Sequence, residues 1–137
     1  MSASPLREQL IYWWAIAASG VHIFLNYFTI VPENWSAAIH FTFFGGLGIL
    51  MYLRHYGLQL CLVCVLSISA LYLIPAEDPL YERGQDFLFF DYLFSSITIG
   101  LALFLTYKMI GWFIPALIVF GLTYVAFWGQ YVPGIFN

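Results

Sequence analysis

Gly57–Ile74 reads GLQLCLVCVLSISALYLI, eighteen residues without an aspartate, glutamate, lysine or arginine. A helix over this stretch is about 27 Å long at 1.5 Å per residue, close to the hydrocarbon thickness of a bilayer, about 30 Å. The apolar residues run continuously instead of alternating, which excludes a barrel strand. A helix is the remaining structure that pairs every backbone group internally in lipid. The rest of the chain agrees. Its 137 residues (1–137) suit a single domain. They are 63% apolar and 8% charged, against about half and a quarter in soluble proteins. Mean hydropathy is +0.88. A net charge of −3 with no basic run gives no footprint for nucleic acid.

Four further apolar segments flank the first. The expected spans are residues 10–30, 35–53, 57–74, 87–107 and 112–131, so the fold class is all-α integral membrane, a bundle of about five transmembrane helices (four plus a C-terminal fifth). MSASPLREQL leads into a full span without a small-residue cleavage site, and the first span is read as retained. In VPENWS, Asn34 is the expected N-cap of the second helix. In IPAEDPLYERGQD, Pro75 is expected to end the third helix and Pro79 to keep the following loop non-helical. Pro115 falls in the first turn of the fifth helix, where a missing N–H costs little.

Charge sets the expected orientation. Arg7, Arg54 and Lys108 share one side if five helices alternate, and only Arg83 lies on the other. The positive-inside rule then places the N-terminus inside and the C-terminus outside. Tyr12, Trp13, Trp14, Trp35, Trp112, Trp128 and Tyr131 sit at span ends, as interfacial aromatic anchors do.

Few residues could carry chemistry. Cys61 and Cys64, the only cysteines, share a helix face at i and i+3. They fall in the cytoplasmic half of their span, where thiols stay reduced, and zinc would need further ligands. They are read as small packing residues facing their own bundle or a partner. His22 lies about twelve residues into its span from the inside and His40 about five into its own from the outside; on straight helices these depths differ by about 8–10 Å. A shared haem is therefore possible but unforced, and each histidine is read as bonded to a neighbouring helix. Asp91, the one acid inside a span, is read as a first-turn acid favoured by the helix dipole and reaching loop atoms such as Arg83, with an ion-coupling carboxylate as the alternative. Ala15, Ala18, Ser19, Gly20, Gly45, Gly46, Gly48, Ser95, Ser96 and Gly100 mark expected close helix contacts. Midplane polar residues are too sparse for a substrate cavity, and no catalytic motif stands out. These residues point to an accessory or structural membrane subunit.

KMIGWFIP (Lys108–Pro115), with Lys108, Gly111 and Trp112, and GQYVPG (Gly129–Gly134), with Tyr131, Pro133 and Gly134, resemble the basic-x-x-Gly-Trp-x-x-Pro turn and Gly-x-Tyr-x-Pro-Gly ending of one transporter family. These are the tripartite ATP-independent periplasmic (TRAP) transporters, and the matching part is the amino-terminal region of fused permeases served by TAXI-type binding proteins. Arg83 precedes Asp91 by eight positions, similar to that family's Arg-Ala-Gly…Asp stretch, although RGQDFLFFD lacks the Ala-Gly order. IHFTFFGGLGILMY (Ile39–Tyr52), with His40, Gly45 and Gly48, is similar to its second span. The resemblance implies a small scaffold subunit in a bacterial or archaeal cytoplasmic membrane. Its partners would be a large permease subunit that carries the substrate and a periplasmic TAXI-type binding protein that delivers an organic acid or amino acid. No cofactor is expected in this chain; the coupling ion, sodium or proton, would belong to the large subunit. The alternative from the residues themselves is a haem-, quinone- or thiol-linked membrane anchor using Cys61, Cys64, His22 and His40.

Overall fold

The computed structural model describes residues 5–28, 30–84 and 86–128. Five helices follow one another: α1 (Pro5–Tyr27), α2 (Glu33–Tyr52), α3 (Tyr56–Arg83), α4 (Phe89–Ile110) and α5 (Phe113–Trp128). No strand occurs among the described residues. Three helices, α2, α3 and α4, are long and apolar enough to cross a membrane, against the five full spans expected. α1 has 23 residues but opens on the polar PLREQ segment, and the described part of α5 is shorter than a span.

The largest departure from expectation is α3, which runs 28 residues through both prolines. Pro75 has no N–H to donate to the Leu71 carbonyl, which interrupts the ladder, but Tyr72 still donates to the Ile68 carbonyl at 3.1 Å and keeps right-handed helical angles, φ −53° and ψ −33°. Pro75 therefore falls in the first turn of a renewed helical segment, Leu73–Arg83, where a missing N–H is tolerated. The ladder resumes with Ala76 N–H donating to the Tyr72 carbonyl at 3.2 Å. Pro79 lies inside the segment, where its missing N–H leaves the Pro75 carbonyl without its helical partner. Gly84, at φ +64°, stops α3, a conformation that glycine adopts without a Cβ penalty. Asn34 is also placed differently. α2 already begins at Glu33, without a side-chain cap, and the Asn34 amide donates to Glu77 Oε1 of α3 at 2.9 Å.

α2 is the central helix and packs against α1, α3 and α4. Its glycines permit this. A Cβ on Gly45 would lie 2.8 Å from Leu66 Cδ2, and one on Gly46 would lie 2.9 Å from Trp14 Cζ2. The Trp14 indole N–H donates to the Phe43 carbonyl at 2.8 Å. Around this seam Ile49, Leu50, Val63, Leu66 and Leu105 form the buried core.

The end of α2 has its orphan carbonyls satisfied from two directions. Arg7 Nη2 donates to Leu50, Met51 and Leu53 carbonyls at 2.9–3.2 Å. Gln59 Nε2 donates to Leu50 and Leu53 at 3.1 and 2.6 Å. A cation suits this helix terminus because its dipole end is negative, and four carbonyls there lack intrahelical partners. Arg7 thus acts as a cap on α2.

Candidate functional site

Asp91 is the polar hub of the structure. It lies in the first turn of α4 and is 7% exposed. Its Oδ1 accepts the Tyr72 hydroxyl at 2.6 Å, and its Oδ2 accepts Arg83 Nη2 at 2.8 Å and the Leu88 N–H at 2.7 Å. The last bond is half of a capping box, a carboxylate reaching back to the N-cap amide. Three segments are thereby tied at one point: the interruption in α3, the end of α3 and the start of α4. The Arg83–Asp91 ion pair closes the connection between them. The expected first-turn acid is present, and its work here is to anchor the backbone.

Beneath this hub lies a half-open groove of ≈ 530 Å³ between α2, α3 and α4. Ala37, Phe41, Ala70, Leu73, Phe87 and Ile99 supply much of its apolar lining. Its hydroxyl protons are already committed. Ser69, Ser95 and Thr98 donate to carbonyls of their own helices at 3.1, 2.6 and 2.8 Å, and Tyr72 donates to Asp91. Such volume and lining suit a ligand, but the free surface offered is mainly hydrocarbon.

The other candidates separate. His22 Nδ1 and His40 Nε2 are 2.9 Å apart, in direct hydrogen-bond contact. The expected offset in depth is therefore wrong, because α1 ends at Tyr27 and α2 begins at Glu33, which shifts both helices in register. Two metal–nitrogen bonds of about 2 Å on opposite faces of a haem would hold nitrogens about 4 Å apart, so this pair as it stands has no space for an iron between its rings. Gly45 and Gly48 are buried at the α2 seam, on an internal face. Lys108 is exposed, with Nζ 5.7 Å from the Phe104 ring centre and 5.8 Å from that of Tyr107. Gly111 caps α4 at φ +96°, ψ −169°, a region essentially confined to glycine, and Trp112 beside it is exposed. Tyr131, Pro133 and Gly134 lie outside the described residues. Among the described residues no group of three His, Cys, Asp or Glu side chains is placed to hold a metal.

Cys61 and Cys64 are free and exposed, on the face of α3 turned away from Val63 and Leu66. Packing into their own bundle is thus excluded. Replacing both with alanine is expected to change stability by no more than about 0.5 kcal/mol, the range for surface substitutions, and both thiols should label with maleimide in detergent. A large loss of stability, or protection of either thiol, would show that this face is covered.

Sequence reasoning missed Tyr72, the second anchor of Asp91, because nothing in the spacing of an apolar run marks one tyrosine as polar in purpose. It also passed over Gln59, fully buried. The only amide side chain in Gly57–Ile74 was the available signal for it.

Comparison with known proteins finds no matching family model, no matching curated protein and no matching solved structure.

Proposed function

We propose that this chain is the small transmembrane scaffold subunit of a TRAP-type secondary transporter, lying in a bacterial or archaeal cytoplasmic membrane with its N-terminus inside. The observation that carries the scaffold reading is the uncovered α4–α5 pair. α4 buries only Asp91 and Leu105, and α5 buries none of its described residues. α5 meets the rest of the described chain chiefly through α4. A helical hairpin that apolar and that uncovered suits a lateral surface for a larger membrane protein. Gly100 on α4 has nothing within 4 Å of the point where a Cβ would lie, leaving room for close approach by a second helix. The TRAP assignment is supported by the Lys108–Pro115 motif, whose glycine occupies a backbone conformation that demands it. The reading gives this chain no substrate site of its own, and the coupling ion and substrate belong to the large subunit.

The test is affinity purification from native membranes in mild detergent. The expected result is a large membrane subunit recovered with this chain, and uptake only when both are reconstituted and the periplasmic binding protein is supplied. Gly100→Leu is expected to leave the isolated chain's melting temperature within about 1 kcal/mol equivalent of the parent, since it gains helix propensity, while weakening the complex. Uptake by this chain alone in liposomes would refute the proposal.

A further inference from the structure

The groove beneath Asp91 does not end at its apolar lining. A second cavity of ≈ 230 Å³ adjoins it, and Asn34, Leu73 and Leu80 line both. The two differ in chemistry. The larger offers hydrocarbon, its hydroxyl protons committed to helix carbonyls and to Asp91. The smaller contains Glu77 and Gly84. Glu77 Oε1 accepts one bond from Asn34, which leaves the carboxylate capacity for another donor. Next to Gly84 stands Arg83, whose side chain is 28% exposed while bonded to Asp91. A carboxylate thus stands at the polar end of the joined grooves, while the Arg83 side chain lies outside the lining of both.

We propose that the two cavities together hold one zwitterionic phospholipid with a primary-amine headgroup. Its acyl chain lies in the larger cavity, and its ammonium donates to Glu77 in the smaller one. This inference rests on reading α2, α3 and α4 as membrane-spanning helices. Hydrocarbon is the occupant that suits a lining of apolar side chains and hydroxyls whose protons are already donated to helix carbonyls and to Asp91. An ammonium with N–H groups is the headgroup that Glu77 can bind by a charge-assisted hydrogen bond. A choline headgroup carries a positive charge but no N–H to donate, and a phospholipid without a cationic headgroup would bring only negative charge to an end that also carries Asp78 and Glu82.

The full chain, purified in mild detergent from vesicles containing equal phosphatidylethanolamine, phosphatidylcholine and phosphatidylglycerol, can be examined by native mass spectrometry. The expected result is one retained phosphatidylethanolamine per chain, favoured over the other two by about tenfold or more, the worth of one net hydrogen bond to a charged group. Glu77→Gln should bring the ethanolamine-to-choline ratio close to one. Ala37→Phe, at an exposed position lining the groove, should lower retention of every lipid severalfold without loss of helicity. Equal retention of the choline lipid by the parent chain, retention unaffected by both substitutions, or no retained lipid would each overturn the site. Carbonate extraction separates the underlying reading: a chain that stays in the membrane but retains no ethanolamine lipid loses the lipid site alone, whereas a chain released by carbonate loses both.

Discussion

Replacing Asp91 with alanine is expected to lower the thermal midpoint of the purified chain more than replacing any other carboxylate. Asp91 gathers three donors: a tyrosine hydroxyl, a guanidinium and a backbone amide. Removing a shared acceptor leaves several groups unpaired, and the unpaired groups dominate the cost of such substitutions. Asp91→Asn should fall between alanine and the parent. One amide oxygen can still accept from Tyr72, but the amide nitrogen then faces the Arg83 and Leu88 donors. Tyr72→Phe removes a single bond to a charged group and should cost about 1.5–3 kcal/mol. The order alanine, asparagine, parent is read from melting curves in detergent. If Asp91→Ala melts like Glu82→Ala, the carboxylate does not organise the α3–α4 connection.

Gly46→Ala is the second large effect. The added methyl would meet the Trp14 ring at 2.9 Å, and the ring is held by its bond to the Phe43 carbonyl. Overpacking of this kind costs about 1–3 kcal/mol, against a gain of about 1 kcal/mol from replacing a helical glycine by alanine. Net destabilisation is expected, with a shift in Trp14 fluorescence as the indole is displaced. Gly20→Ala is the matched control, because nothing lies within 4 Å of its Cβ position, and it should be neutral or stabilising. Equal melting temperatures for the two variants would mean that α1 and α2 do not approach as closely as the structure places them.

The contrast between these glycines marks how far the sequence was legible. Gly20, Gly45, Gly46, Gly48 and Gly100 look alike in sequence, each a small residue on an apolar helix. Only the rotation of each helix decides that Gly45 and Gly46 face neighbours while Gly20 and Gly100 face outward. Cys61 and Cys64 show the same limit. Their i, i+3 spacing gave a shared face, but in an all-apolar helix no polar stripe tells which face points inward. The prolines misled for another reason. Pro75 and Pro79 forbid two hydrogen bonds but do not forbid helical angles, and packing of the α3 extension against α2 kept the chain helical to Arg83.

Sequence alone determined that the chain is helical, where its apolar segments lie, and that Asp91 would act at the start of a helix near Arg83. Length, composition and the glycine and charge positions suffice for those, because they are properties of a segment in its solvent. Tertiary structure decided that Tyr72 completes the Asp91 hub, that His22 meets His40, that Arg7 and Gln59 cap α2, and that α4 and α5 remain uncovered. Those facts depend on helix rotation and register, which uniformly apolar sequences leave undetermined until side chains on different helices are brought within contact distance.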